Sequence, residues 1–509
     1  MRASVATSDS AGETARFGLG RLALILGLLT LARLVALAFS ATDLQVDEAQ
    51  YWDWSRQFAF GYYSKPPLIA WVIGLASALF GNSEFAVRLP APLFHCGSAL
   101  IIYATGRRLY GARTGFFAAL GFALAPGVAL SSGIMSTDVL LLFCWALGLY
   151  AFLRLREDAE LGFAVLLGVA IGFGLLAKYA MIYFVGCALI AAVFDRPSRA
   201  VVLSRRFALA ILIGVLMIAP NILWNFANSF VTFSHTGENI EGSGFHFQPL
   251  GALGFFASQF GIIGPVIFAG LLIAAWQVWK GRDRDGDRVV LAFSLPVSLV
   301  VTGAGFFTRT NANWGAAAFV GAAVIGTAVL LRMRQERWIT IGLALGLFAQ
   351  VAVSVGGAFA PVLHTPYLSR SGDLFKAMIG WHDLADRLRV AAKEAGTKNI
   401  ITTERPEIAE LLYYLRDEGF NLTVWPDDPS PDHHFELTMS TVDHPPQGPA
   451  LLVADCAMPD HLAPFFSDIK LLGMMRVPTG VNSWRDYILY RLDGLRGPLQ
   501  TVPLCQDPD

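Results

Sequence analysis

Charge is scarce in this chain. Asp, Glu, Lys and Arg make up 15% of its 509 residues, against 55% hydrophobic residues. A soluble chain of this length carries far more surface charge, so a purely soluble globular fold is excluded. An excess of one sign is also missing. The formal net charge is −1, so nothing points to nucleic-acid binding. No Cys-x-x-Cys pair or His-rich ligand spacing occurs, so no structural zinc is indicated. Internal repeats of the kind common in transporters are absent as well. Of the five cysteines, Cys96, Cys144 and Cys187 fall inside apolar runs and read as small core residues. Cys456 and Cys505 lie in the polar C-terminal part and could pair if that part faces an oxidising compartment.

Long apolar runs are what the chain has in quantity. They fall at Leu22–Phe39, Pro90–Tyr103, Phe116–Leu130, Val139–Leu153, Leu161–Leu176, Met181–Phe194, Phe207–Trp224, Leu250–Trp279, Val289–Phe306, Trp314–Leu331 and Trp338–Phe359. Helices satisfy their own backbone hydrogen bonds in lipid, so this pattern predicts a polytopic α-helical membrane protein with about eleven crossings. The first run follows Arg2, Arg16 and Arg21 and exceeds a signal-peptide core of about 7–15 residues, so it reads as an uncleaved span. Pro66–Phe80 is apolar but short of the roughly 20 residues a crossing needs. Arginine placement settles its reading. With that segment in the membrane plane, the loops holding Arg107, Arg108 and Arg113, Arg154 and Arg156, Arg196 to Arg206, Lys280 to Arg288 and Arg332 to Arg337 all fall inside. The N-terminus is then cytoplasmic, and the loops with Asp47, Lys65, Asp138, Lys178, His235 and Arg309 all face outward.

The composition becomes mixed and polar after Pro361. Helical spacing at Trp381–Ala395 and Pro406–Glu418, with strand-like runs at Asn399–Thr403, Leu422–Trp425, Ala450–Ala454 and Tyr487–Leu492, predicts a small outer α/β domain. The chain is thus expected to divide into a membrane module, residues 1–360, and an outer domain, residues 361–509.

Candidate chemistry clusters in the outward loops. Asp47 and Glu48 open a predicted short surface helix with Tyr51, Trp54 and Phe58 on the stripe of Asp47. A carboxylate here could aim at a reacting hydroxyl, or simply serve the helix N-terminus. Lys65 follows Tyr62 and Tyr63 and precedes Pro66, which biases it to extended backbone at the membrane surface. Phosphate binding and snorkelling both fit it. Asp138 stands at the outer start of a span behind Ser136 and Thr137, which could cap that helix. Arg309 is an arginine in a short outer loop, against the inside-positive pattern, and guanidinium grips phosphate oxygens well. Lys178 offers a similar but weaker cation. His235 with Glu238 could bind a metal, although a polar outer loop explains them more simply. Arg33, inside the first span, is expected to pair within the bundle or to snorkel.

In their order these motifs resemble the GT-C glycosyltransferases of the protein-mannosyltransferase and aminoarabinose-transferase type. The likeness rests on Asp47-Glu48-Ala49 with Tyr51-Trp52, on Tyr62-Tyr63-Ser64-Lys65-Pro66-Pro67-Leu68, and on Phe80-Gly81-Asn82-Ser83-Glu84-Phe85-Ala86-Val87-Arg88-Leu89-Pro90. It continues at Ser136-Thr137-Asp138 and Asn313-Trp314. The resemblance implies transfer of a sugar from a polyprenyl-phosphate carrier on the periplasmic face of a bacterial inner membrane; attack opposite the departing phosphate would make it an inverting transfer. The acceptor implied is a glycolipid, lipid A or lipopolysaccharide core, ahead of a protein. It matches Asp47 to the catalytic carboxylate, with Glu48 and Asp138 beside it. Lys65 and Arg309 match residues that hold the carrier phosphate, with Tyr62, Tyr63 and Lys178 around them. Asn313, Trp314 and His235 are weaker substrate contacts. No cofactor is certain, and a divalent metal is possible. Ser64 stands where the aminoarabinose enzymes often carry an acidic residue, which weighs against that sugar. The rival from another class is a transporter or flippase of a lipid-linked sugar. It would favour repeated halves and polar groups at mid-membrane rather than at one face.

Overall fold

The computed structural model describes residues 16–234, 237, 247–362, 375–456, 459–480 and 483–504. Among them, six helices are long and apolar enough to cross a bilayer: Leu19–Ala38, Glu84–Tyr110, Thr137–Glu157, Arg205–Ala227, Asp287–Ala304 and Glu336–Ala358. The expected crossings are all helical, but several are short or broken. Leu250–Trp279 is two helices, Pro249–Ile262 and Pro265–Trp279, bent by 117° and making at most a seventh span. The break has a local cause. Gly264 takes φ 93°, open to glycine and strained for other residues, and Pro265 cannot continue the preceding ladder. Phe116–Leu130 likewise breaks ahead of Pro126, into Ala112–Ala123 and Pro126–Ser131. Leu161–Ala177, Tyr179–Phe194 and Ala318–Arg332 are shorter apolar helices.

Where helices pack most closely, small residues let the backbones meet. A Cβ at Gly106 would fall on Gly115, and one at Gly270 on Gly326. Arg33 pairs inside the bundle, donating from Nε to Gln350 Oε1 at 2.8 Å and from Nη2 to the Ala123 carbonyl. At the end of the bundle away from the sheet described below, several cations hold carboxylates. Arg108 meets Glu157 and Asp158, Arg156 meets Asp195 and Asp285, and Arg332 meets Asp287.

The first loop carries the Val46–Trp54 helix and then Leu68–Phe80, 13 residues long and well short of a crossing. Beyond Lys376 the chain builds a five-stranded sheet: β1 (Asn399–Thr402), β2 (Asn421–Val424), β3 (Ala450–Ala454), β4 (Phe466–Gly480) and β5 (Ser483–Leu495), in the order β2-β1-β3-β5-β4. β1 runs parallel to β2 and β3, setting Ile400 between Leu422 and Leu451, whereas β5 is antiparallel to both β3 and β4. Trp381, Leu384 and Leu388 of the Trp381–Glu394 helix fill one face, and Trp425, Tyr490 and Leu504 the other. Cys456 is disulfide-bonded, while Cys96, Cys144 and Cys187 are free; Cys505 lies outside the described residues.

The sheet domain sits on the first loop, which corrects the expectation of a surface helix at Asp47. Tyr51, Trp52 and Trp54 are only 3%, 4% and 2% exposed, packed with Ile408, Tyr413, Val424 and Phe435. Phe58 lies past the helix end and stays exposed, stacked on Trp71. Polar ties fix the docking. Asp43 Oδ2 accepts from the Trp381 amide at 2.7 Å, Tyr414 Oη accepts from the Leu44 amide at 3.0 Å, and Tyr63 donates to the Pro431 carbonyl at 2.8 Å.

Candidate active site

The two adjacent carboxylates of the first loop face in different directions. Neighbouring residues on a helix lie about 100° apart, so one can face the interior while the other faces out. Glu48 is fully buried. Its carboxylate accepts from Arg88 Nε (3.1 Å) and Nη2 (2.8 Å), from the Gln45 amide (3.0 Å) and from the Met135 amide (2.8 Å). Arg88 also donates to Thr42 Oγ1 at 2.9 Å and to the Asp43 carbonyl at 2.6 Å. Glu48 was expected among the catalytic groups, but every contact it makes is internal. It closes the helix N-terminus and holds the irregular Met135 segment that leads into Asp138.

Asp47 is open by contrast, its side chain 47% exposed. Oδ1 accepts from Arg405 Nη2 at 2.8 Å, and Arg405 Nη1 donates to Gln50 Oε1 at 2.8 Å. Arg405 comes from the sheet domain, at the first turn of the Arg405–Tyr414 helix. Asp138 lies in the first turn of Thr137–Glu157; Ser136 occupies the N-cap without a side-chain cap bond. Asp138 Oδ1 accepts from Lys178 Nζ at 2.7 Å, and Oδ2 from Asn313 Nδ2 at 2.7 Å. The carboxylate thus sits at a helix N-terminus and the lysine just past the C-terminus of Leu161–Ala177, each where the helix dipole favours it.

Lys65 lies in the field of both pairs. Burial holds its ammonium below the usual lysine range; Lys178 and Arg405 act in the same direction, and Asp47 and Asp138 against it. Among the described residues it forms no ion pair. Tyr51 lies in the same field. Burial raises its phenol well above the ordinary value, and Asp47 and Asp138 add to the rise.

The remaining predicted residues divide. Tyr62 stacks on Trp54 with ring centroids 4.8 Å apart and 4° between planes, and donates to the Trp54 and Gln57 carbonyls. Burial pushes its phenol up to about 12. Tyr62 and Tyr63 were expected around the carrier phosphate, but both hydroxyls are spent on backbone carbonyls and both rings are buried. Asn313 and Trp314 lie in the short 3-10 turn Ala312–Gly315, where Asn313 reaches Asp138. Arg309, in the loop leading to that turn, is exposed and makes no hydrogen bond or ion pair among the described residues. His235 lies outside the described residues. Among those described, no group of three or more His, Cys, Asp or Glu is placed to hold a metal.

Sequence reasoning missed what the sheet domain contributes. Besides Arg405, it brings His433 and His434 against the first loop, with His434 edge-on to Trp54 at 5.4 Å. Burial holds both imidazoles down at about 4, with Arg405 adding to the effect on His433. Glu404, beside Arg405, is pushed up to about 7 by burial and by the neighbouring carboxylates of Glu407, Asp455, Asp427 and Asp432. Arg88 stood within a quoted motif, yet nothing in the local pattern announced a buried partner for Glu48.

This arrangement has known relatives. Residues 64–224 match the family model described as dolichyl-phosphate-mannose-protein mannosyltransferase. Lipid A galacturonosyltransferase RgtD of Rhizobium johnstonii is 34% identical over 417 residues, covering 82% of this chain and 86% of that protein. Lipopolysaccharide core galacturonosyltransferase RgtA of the same organism is 26% identical over 292 residues, 53% of this chain and 57% of that one. ArnT from Cupriavidus metallidurans bound to undecaprenyl phosphate superposes with a TM-score of 0.66 at 18% identity, over 95% of this chain and 100% of that structure. The apo form gives 0.61 at 18% identity, over 94% and 98%. With a relative this similar along most of its length and a shared fold from end to end, the chain belongs to the GT-C superfamily and is a multi-pass membrane glycosyltransferase.

Proposed function

We infer that this glycosyltransferase moves a uronic acid, galacturonic acid first, from a polyprenyl-phosphate carrier to lipid A or lipopolysaccharide core. The likeness to RgtD carries the choice of sugar and acceptor. The geometry that supports the chemistry is the cluster of Asp47, Lys65, Arg405, Asp138 and Lys178 at the end of the bundle that bears the sheet domain. That end is taken as periplasmic, in a bacterial inner membrane with a cytoplasmic N-terminus. Residues 1–360 form the membrane module and 361–509 the outer domain.

A phosphate leaving group needs little protonation; it needs cations where negative charge collects. Lys65 fills that role, with Arg309, exposed in the loop before Asn313, as a second cation. Asp47 takes the proton of the acceptor hydroxyl as its oxygen bonds to the anomeric carbon. The bond from that carbon to the phosphate oxygen breaks on the opposite face, and its electron pair leaves with the phosphate. The anomeric centre is therefore inverted. Asp138, braced by Lys178 and Asn313, positions sugar or acceptor, and the sheet domain limits access of water.

The test is to extract the lipid that copurifies with the full-length protein and identify it by mass spectrometry. Polyprenyl phosphate or its galacturonate conjugate is expected in wild type and lost in Lys65→Ala/Arg309→Ala. Only ordinary phospholipid in both proteins, with no transfer from a synthetic polyprenyl-phosphate galacturonate, overturns the reading.

A further inference from the structure

A polyprenyl-linked uronic acid brings two negative charges, one on the phosphodiester and one on the sugar. Lys178 is already committed to Asp138 at 2.7 Å. Lys65 and Arg309 are assigned to the phosphate. That leaves the sugar carboxylate without a partner unless the outer domain supplies one.

Arg405 has the right form. Its two terminal nitrogens are both in use, Nη2 on Asp47 Oδ1 and Nη1 on Gln50 Oε1, each at 2.8 Å. The guanidinium therefore already presents its flat fork to two neighbouring oxygens, the shape of a carboxylate. Gln50 is 1% exposed and acts as a fixed neutral acceptor. The side chains of Arg405 and Asp47 are 34% and 47% exposed, so the pair sits in an open mouth. An ion pair at such a place contributes little and exchanges easily for another carboxylate. The charge count agrees. Lys65, Lys178 and Arg405 lie with Asp47 and Asp138, a surplus of one positive charge, and Arg309, in the loop before Asn313, is a further cation for the phosphodiester.

We propose that Arg405 reads the carboxylate of the donor sugar, exchanging Asp47 for it on binding. This rests on the function inferred above. The exchange also frees Asp47 Oδ1 to receive the acceptor proton, so a uronate donor readies the base where a neutral hexose leaves it tied. Arg405 is then a specificity-determining residue supplied by the outer domain to a site otherwise built in the membrane module.

The experiment compares two synthetic donors, polyprenyl-phosphate galacturonate and polyprenyl-phosphate galactose, with a lipid A acceptor and the full-length purified enzyme. Wild type is expected to prefer galacturonate. Arg405→Gln should lower that preference about 10- to 100-fold, chiefly by raising KM for the galacturonate donor, and Arg405→Lys should restore part of it. A preference unchanged in Arg405→Gln overturns the inference. So does an equal loss on both donors without rescue by lysine, which marks a purely structural pair. Wild type that uses neither donor overturns the inferred function itself, and this assignment with it.

Discussion

Glu48→Gln and Asp47→Asn are nearly identical changes at adjacent residues, and the geometry predicts opposite consequences. The Glu48 carboxylate is wholly buried and receives donors from Arg88, Gln45 and Met135. An amide there turns its own donor against those groups and leaves the Arg88 guanidinium, itself 1% exposed, without a counter-charge. Breaking a buried pair from one side costs about 3–5 kcal/mol, a large part of the roughly 5–15 kcal/mol that holds a domain together. Glu48→Gln should therefore melt well below wild type. A Glu48→Leu/Arg88→Met double variant should recover part of the loss, because it removes both charges. Asp47→Asn removes only a half-exposed pair worth at most about 1 kcal/mol, so melting should stay near wild type. Its transfer rate should instead fall about 100-fold or more, with carrier still bound. The assay pairs thermal unfolding, followed by tryptophan fluorescence in detergent, with transfer from a labelled donor. If Glu48→Gln melts with wild type yet loses transfer, the roles assigned to the two carboxylates are reversed.

Three further outcomes are expected. Lys65→Ala should weaken polyprenyl-phosphate binding about tenfold or more, and Arg309→Ala should weaken it less, since Lys65 is the more buried cation; equal retention of carrier by both variants in native mass spectrometry contradicts the phosphate assignment. His433 and His434 are held neutral, at about 4 against an ordinary 6.5, so the stability they confer is complete above 6.5 and is lost as pH falls toward 4. At pH 5.5 each should cost about 1 kcal/mol, read as faster hydrogen exchange in His434–Met439, and the acid sensitivity should vanish in His433→Asn/His434→Asn. Gly61→Ala would drive a Cβ into the Trp224 ring, and should destabilise the first loop by about 1–3 kcal/mol in the same melting assay.

Much of the fold was legible because lipid imposes one rule, apolar helices, that composition reveals directly. The misreadings have physical causes. A hydropathy window passes smoothly over Ile263-Gly264-Pro265, yet that tripeptide turns the chain by 117°. β4 escaped because most of it is exposed, unlike the other edge strand, β2, which is buried past its first residue. Leu471 and Met474 stay exposed, so no clean alternation marks its 15 residues. Its neighbour β5 was recognised only over Tyr487–Leu492, which holds all of its buried residues.

The site was legible only in the elements close to it in sequence. Asp47 and Lys65 share the first loop, and Asp138 and Lys178 stand at helix ends that the apolar runs mark, whereas Arg405 reaches Asp47 across 358 positions through docking of the sheet domain. Glu48 shows the converse. Its chemistry equals that of Asp47, and only the rotation of one helical residue commits it to the interior. Lys65 joins these observations. A half-buried ammonium pays for desolvation, and the cations at the opposite end of the bundle that are similarly withdrawn, Arg156 and Arg332, each hold a carboxylate. Lys65 holds none among the described residues, and burial pulls its ammonium down despite the pull of Asp47 and Asp138. A phosphate arriving beside it would supply the missing anion and return its affinity for the proton toward the ordinary lysine range. On the proposed role of Lys65, carrier binding and a fully charged ammonium would reinforce each other, and the energy of that pairing would be greatest when the departing phosphate bears most charge.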